Sequence, residues 1–416
     1  CKIAPDHRPL VITGGPLCIY HPWKLFSTDP SDPWGADVVI TGEEYVSLQL
    51  LEVLLSLRSG TEPLRTTFLR AKNSGMLDEI PGLVYPLGAE GQVPEELVDT
   101  GIQRLCGDLD EQVYPVYGYQ LLEPPSRKAT LASQPVPVNR IHRLSPISSI
   151  VMTLGCKFRC HYCPIPAYNQ RKYRTKSGER IADEIRRLHK EYGLRIFFGT
   201  DDNFFDDKKR ALDIVETLAR AEINGRPLRK RARIATEVTV HDTIRMKDHL
   251  GPVRKAGIRA LWLGVEDMTG ALVKKGQTVD KTIEAFQMLR SRGILPNPMM
   301  MHHDNQPLLT PGRPLGLLNQ AQMLQKAGAT TLQVLMITPS PGSKVFEETF
   351  TSGMVFESVG GKYVEPYMVD GNYVIASKAP EPWQKQFNIL LAYLFFYNPF
   401  RLASKLYHWR KRPPQL

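Results

Sequence analysis

From Ser148 onward, short apolar runs alternate with longer stretches in which apolar residues recur every three or four positions. The runs SSIVMT (148–153), LRIFFGT (194–200), ARIATEV (232–238), IRALWLGV (258–265), ILPNPMMMH (294–302) and TTLQVLMITP (330–339) have the length and content of buried strands. After the first of them, GERIADEIRRLHKEYG places Ile181, Ile185, Leu188 and Tyr192 on one face and stops at Gly193, the pattern of an amphipathic helix with a glycine cap. Comparable helices are expected near 207–223, 243–256, 279–292 and 314–327. Strand–helix units repeated in this way predict a parallel α/β barrel, complete or open, with its chemistry at the C-terminal ends of the strands.

The front of the chain follows a different rhythm. From Pro9 to about Gly91 it runs LVITGGP, ADVVITGEE, a helical YVSLQLLEVLLSLRSG and a hairpin-like IPGLVYPLGAEG. Apolar runs that end in glycine and lead into helices predict half of an open parallel domain over residues 1–95, with its turns facing a ligand. Residues 96–147 are proline-rich and weakly periodic, as expected of a wrapping linker. The barrel is expected over 148–350 and a variable end over 351–416. There Phe387, Leu390, Leu391, Leu394 and Phe395 predict a helix face that caps the barrel in preference to touching a membrane.

Composition adds little to this division. Of 416 residues, 42% are hydrophobic, enough for one large core or two smaller ones. The formal charge of +10 permits anionic partners without demanding them. GRPLRKRAR (225–233) and RLASKLYHWRKR (401–412) carry much of the excess, and solvated surface is their ordinary explanation. No run approaches the roughly 18 to 20 apolar residues of a membrane span, and the N-terminus is not a signal sequence, so a cytoplasmic chain is expected. The chain starts at Cys1 without a Met, and a missing start is expected.

Candidate chemistry changes the picture more. Cys156, Cys160 and Cys163 stand within eight positions just after the first barrel strand, whereas Cys1, Cys18 and Cys106 are scattered. That distribution suits metal binding or catalysis in a reducing compartment better than a disulfide scaffold. A closed zinc site needs four protein ligands, and His161 lies too close in sequence to its neighbours to be a comfortable fourth. Three thiolates can instead hold three corners of an iron–sulfur cluster and leave one iron open.

The C-x3-C-x-Φ-C spacing, with aromatic Tyr162 before the third cysteine, resembles the radical S-adenosylmethionine enzymes over roughly residues 148–350. The resemblance implies that Cys156, Cys160 and Cys163 hold a 4Fe-4S cluster whose fourth iron chelates S-adenosylmethionine. Reductive cleavage would then give methionine and a 5′-deoxyadenosyl radical. It also implies that FFGTDDNF, with Gly199, Thr200, Asp201 and Asp202, replaces the Gly-Gly-Glu that accepts the methionine ammonium. A helix N-cap is the alternative role for either Asp. Glu237 and Glu266 fall where family members recognise ribose and methionine, with structural ion pairs as the alternative. Met299 and Met301 are expected on one strand face and Met300 and His302 on the other, more as core than as cofactor wall. His302, His303 and Asp304 are either substrate acid–base groups or polar rim, and ITPSPGS supports the fold only.

The front segment resembles the second half of a cobalamin-binding domain. That implies backbone approach to the cofactor at Gly14 and Gly15, and at Gly42 and Glu43. The D-x-H-x-x-G turn has no match, and adjacent Asp6 and His7 precede the wrong strand, so His7 is not taken as an axial ligand. Taken together, the expected fold is α/β: a partial (β/α)6 barrel preceded by part of a Rossmann-like cobalamin-binding domain, truncated at its N-terminus. The expected activity is cobalamin-dependent methyl transfer to an unactivated centre, with radical cyclisation or rearrangement as an alternative and a non-catalytic metal-binding module as another. A small-molecule or lipid-like substrate and an electron donor such as a flavodoxin or ferredoxin would be the partners.

Overall fold

In a computed structural model the chain divides into two units, residues 1–107 and 108–416. The structure describes residues 8–88, 91–103, 105–122, 135–270, 277–337, 340–346, 348, 352, 356–359, 361–363, 383–398 and 400. Cys1, Asp6, His7 and the basic run at 401–412 lie outside them.

The first unit is built on a sheet of β1 (Ile12–Thr13), β2 (Val38–Ile40), β3 (Leu83–Pro86) and β4 (Leu97–Asp99), in that order. Only β1 and β2 are parallel; β3 and β4 are added antiparallel. The partner of β3 is therefore β4, from the stretch expected to be linker, and not the LGAEG sequence that follows it. Apolar patterning marks a strand but does not name its neighbour. Helix α1 (Glu44–Leu57) buries Val46, Leu50 and Leu54 on one face, as its periodicity requires. Helix α2 (Leu64–Asn73) was not legible, because much of its buried face is polar. Its Arg65 joins Arg8 on the buried carboxylate of Asp37.

The second unit holds six strands: β5 (Ile147–Ile150), β6 (Ile196–Gly199), β7 (Arg233–Thr239), β8 (Ile258–Glu266), β9 (Leu295–His302) and β10 (Gln333–Met336). They lie side by side in sequence order and all are parallel, a curled half-barrel with β5 and β10 at its edges. Helices α3 (Gly178–Tyr192), α4 (Lys208–Arg220), α5 (Val240–Arg245), α6 (Leu250–Lys255), α7 (Val279–Ser291) and α8 (Leu317–Ala327) fill the crossovers. Ser177 caps the start of α3 and left-handed Gly193 its end. The single helix expected over 243–256 is two, because Pro252 belongs in the first turn of α6, where its missing N–H is harmless.

The segment 96–147 is shared between the units rather than free. Leu97–Asp99 completes the front sheet, while Val116 and Ile141 are buried in the half-barrel core. Helix α9 (Gln384–Phe396) buries Lys385, Ile389, Ala392 and Phe396 and leaves Phe387, Leu390 and Leu394 exposed at 46%, 51% and 61%, so its inner face is not the one its large apolar residues predicted. Two tyrosine hydroxyls decide this. Tyr393 accepts the Val334 N–H (3.0 Å) and Tyr397 the Leu332 N–H (2.8 Å), satisfying the open edge at β10.

Candidate functional site

The loop that carries the cysteines leaves β5 and is fastened by a short antiparallel ladder of Thr153–Leu154 with Arg174–Thr175. Gly155 turns at φ 97°, and any Cβ there would collide with the Lys172 carbonyl. Side chains from neighbouring strand ends then bolt the loop down. Asp201 accepts the N–H groups of Met152 (2.9 Å) and Thr153 (2.7 Å) on one oxygen and the Thr236 hydroxyl on the other. Asp202 accepts the Gly155 N–H (2.6 Å) and the Asn169 amide (3.2 Å). Lys157, between the first two cysteines, donates its backbone N–H to Asp206 (3.0 Å) and its ammonium to Asp242 (2.7 Å). Burial raises the Asp242 carboxyl, but Lys157, Asn203 and Arg245 outweigh it and hold the group below its usual range.

Cys156, Cys160 and Cys163 border a cavity of about 240 Å³ together with Tyr162, Asp202, Glu237, Glu266 and Met299 to Met301. All three cysteines are partly exposed and none is in a disulfide. Among the described residues, no three His, Cys, Asp or Glu side chains converge on the position of a single ion. The thiols thus face a shared space and do not meet at a point.

The other polar walls are acidic. The Glu237 carboxylate has no hydrogen-bond donor among the described residues; burial, and then the charges of Asp201, Asp202 and Glu266, push it up to about 7. Burial also raises Asp202. Glu266 sits at φ 56°, a left-handed conformation that costs a non-glycine residue on the order of 1–2 kcal/mol. A register shift between Gly264 and Glu266 against β9 produces this bend and turns the carboxylate over Gly264, toward the cavity. The Tyr162 hydroxyl lies beside Glu266 and Cys160, and burial together with these anions drives its ionisation far above the usual phenol range.

Several expected site residues fall elsewhere. Asp201 is 1% exposed and does not border the cavity; both its oxygens are spent on the cysteine loop and Thr236, and burial pushes its carboxyl up to about 6. Gly199 is also off the cavity, and its bare Cα makes room for the Asp201 carboxylate, Met152 and Thr236. Neither Asp201 nor Asp202 is an N-cap, since Asp207 caps α4. All three methionines border the cavity: Met299 and Met301 are half-buried there, while Met300, at 1% exposure, also belongs to the hydrophobic core as expected. His302 is buried, held by Gln306 (2.7 Å) and Asn388 (3.2 Å), and burial pushes its imidazole down to about 4. His303 pairs with Asp267 at 3.0 Å. Lys157, Asp206 and Asp242 were missed; a lysine inside the cysteine loop and the acid-rich DDNFFDD were their only signal.

In the first unit, Gly15 turns at φ 103° at the end of β1 with open space where a Cβ would stand. Gly14 makes only ordinary contact with Ile40. Gly42 and Glu43 are engaged by their own chain: the Gln103 side chain lies against Gly42, and Glu43 accepts the Cys106 N–H at 2.8 Å. Close backbone approach by a ligand is thus open at Gly14–Gly15 and closed at Gly42–Glu43.

Residues 150–306, which contain all three clustered cysteines, match the family model of the Radical SAM superfamily. That segment is a radical SAM domain. The chain is 32% identical over 154 residues to a hopanoid C-3 methylase of Methylococcus capsulatus, covering 36% of this chain and 28% of that protein. It is 27% identical over 221 residues to an anaerobic magnesium-protoporphyrin IX monomethyl ester cyclase of Cereibacter sphaeroides, covering 52% and 34%. These matches span about a third of each relative's length. Among solved structures, the cobalamin-dependent S-adenosylmethionine radical enzyme OxsB, with aqua-cobalamin and S-adenosylmethionine bound, superposes with a TM-score of 0.56 at 15% identity, covering 92% of this chain and 53% of that one. Radical SAM proteins use a 4Fe-4S cluster and S-adenosylmethionine, and the donor set here fits both: three thiols outside any disulfide on one loop, and carboxylates whose charge suits a ligand with an ammonium and a sulfonium.

Proposed function

We propose that Cys156, Cys160 and Cys163 hold a 4Fe-4S cluster, that Asp202, Glu237 and Glu266 receive S-adenosylmethionine beside it, and that the chain methylates an unactivated centre of a small or lipid-like molecule with cobalamin as carrier. The observation that carries the proposal is the cavity itself, walled by three cysteine thiols on one side and by carboxylates on the other. When bound, the cluster supplies an electron for cleaving S-adenosylmethionine, and cobalamin supplies a route for its methyl group. The chain's own residues do the rest. Glu237, lacking any donor of its own among the described residues, accepts the ammonium; Asp202 and Glu266 add negative charge beside it. Met299 to Met301, Val238 and Leu335 keep water from the cavity. Gly14 and Gly15 are the positions in the first unit open to the nucleotide tail of cobalamin.

The similarity to a methylase supports methyl transfer, and the similarity to a cyclase supports the second reading, in which the same site closes a ring without moving a methyl group. Cysteines outside any disulfide and an oxygen-sensitive cluster suit a reducing cytoplasm with a flavodoxin or ferredoxin as donor; among the described residues no helix is long and apolar enough to cross a membrane. The test is iron and sulfide analysis with electron paramagnetic resonance on reduced, anaerobically reconstituted protein. A 4Fe-4S signal that changes when S-adenosylmethionine is added is expected. Stoichiometric zinc, or a cluster indifferent to the ligand, would overturn the proposal.

A further inference from the structure

At the opposite, N-terminal ends of the same strands lies a second cavity, of about 670 Å³, bordered by Arg195, Arg229, Lys230, Arg231, Arg233, Arg254 and Arg259. None of the described residues that line it is acidic, and none of the seven cations has a carboxylate partner among the described residues. Arg231 Nε and Arg254 Nη1 are buried without a hydrogen-bond acceptor among the described residues. Arg254 also lies against Gly293, where a Cβ would come within 3.3 Å of its Nε. Burial and then the charge of Arg233 pull the Arg254 guanidinium below its usual range.

Such a cluster is costly when empty. Like charges repel, and a buried N–H left without an acceptor costs on the order of 1–3 kcal/mol. Helix C-termini account for some of it, since Arg254 stands in the last turn of α6 and residues 229–231 in the single-turn helix Leu228–Arg231. A helix end does not, however, explain why cations from three strand starts and two helices surround one concavity. The volume falls within the roughly 300–1,000 Å³ range of small-molecule pockets, which favours a compact ligand over an extended polymer. A single phosphate, with about two charges, would reach only part of this donor set. We infer that the floor of the half-barrel binds a small molecule bearing a di- or triphosphate chain, with Arg231 and Arg254 as its inner donors. Chemistry in barrels sits at the other end of the strands, so the ligand acts by binding here and is not a reactant.

Calorimetric titration of the full chain with sodium tripolyphosphate, and separately with ATP, at matched ionic strength tests this. Saturable binding of either is expected, weakened by at least about tenfold in the R231Q/R254Q double variant, as loss of two charge-assisted contacts implies. ATP binding tenfold tighter than tripolyphosphate would identify a nucleotide; equal binding would identify the phosphate chain alone. Both outcomes support the site. R233Q, at the exposed rim, is the second variant should the double variant melt early, and it too should bind more weakly. Absence of saturation by both anions, or unchanged affinity in either folded variant, would overturn the proposal. So would arginine-dependent capture of duplex DNA or of an acidic flavodoxin by a chain that binds neither anion.

Discussion

The two ends of the half-barrel are built on the same strands yet carry opposite chemistry. At the C-terminal ends, Asp202, Glu237 and Glu266 face three thiols across a cavity; at the N-terminal ends, seven Lys and Arg side chains surround another. Along β7 the two are separated by only the four steps from Arg233 to Glu237, roughly 13 Å of extended chain. Strand polarity alone explains part of the difference. Each crossover helix starts near the strand C-termini and ends near their N-termini, so its dipole favours anions above and cations below. That field is worth tenths of a kcal/mol per charge and would suit scattered surface residues. Here both sets converge on concave space, with Glu237 lacking a donor and Arg254 lacking an acceptor for one nitrogen among the described residues. The lesson is that each end is unfinished in a complementary sense: the upper wants a cation and the lower an anion.

The contrast can be broken most severely at the thiols. Replacing any one of Cys156, Cys160 or Cys163 by Ala should abolish cluster assembly, read as loss of iron and of the cluster's visible absorption; a variant with full iron and activity would remove the upper site's identity. Next in size is Asp201→Ala. Two buried backbone N–H groups lose their acceptor, a cost of about 2–5 kcal/mol by urea denaturation, with poorer cluster retention following. A mild effect would mean the cysteine loop is held by Asp206 and Asp242 instead.

Glu237→Gln sharpens the electrostatic side. The group's ordinary value is 4.5 and the folded protein raises it to about 7, so between those values the folded chain holds a proton that the unfolded chain has released. Stability of the ligand-free protein should therefore fall as pH rises from about 5 to 7, and the Gln variant should lose that slope. S-adenosylmethionine affinity should drop by about tenfold in the variant, and in the parent it should strengthen as pH rises through 7. The smallest effect belongs to the floor: Arg254→Gln should raise stability slightly at low salt, by under about 1 kcal/mol, and added salt should erase the gain.

What could be read from the amino-acid order follows the range of the interactions involved. All six barrel strands and most of their helices were legible, because apolar periodicity is local; the cysteines were legible because their spacing is itself the signal. Asp201 was misplaced because its partners, Met152 and Thr153, lie nearly fifty residues away, and nothing local distinguishes it from Asp202. The inner face of α9 was misjudged because Tyr393 and Tyr397 answer to the backbone at a sheet edge, which no hydrophobic pattern encodes. The basic run at 225–233 looked like solvated surface because Arg195, Arg254 and Arg259, which complete the cavity, come from elsewhere in the chain.

The bolts on the cysteine loop bear on how such a protein is made and repaired. Met152, Thr153, Gly155 and Lys157 are all fixed by aspartates of the same chain, so the part of the loop that leads into and past Cys156 is shaped by folding. Ordering a free loop costs roughly 1–2 kcal/mol per residue, a charge that iron loading does not have to meet here. Maturation can then act on a finished apoprotein. A cluster destroyed by oxygen would leave behind a receptive fold, ready for reinsertion without new synthesis.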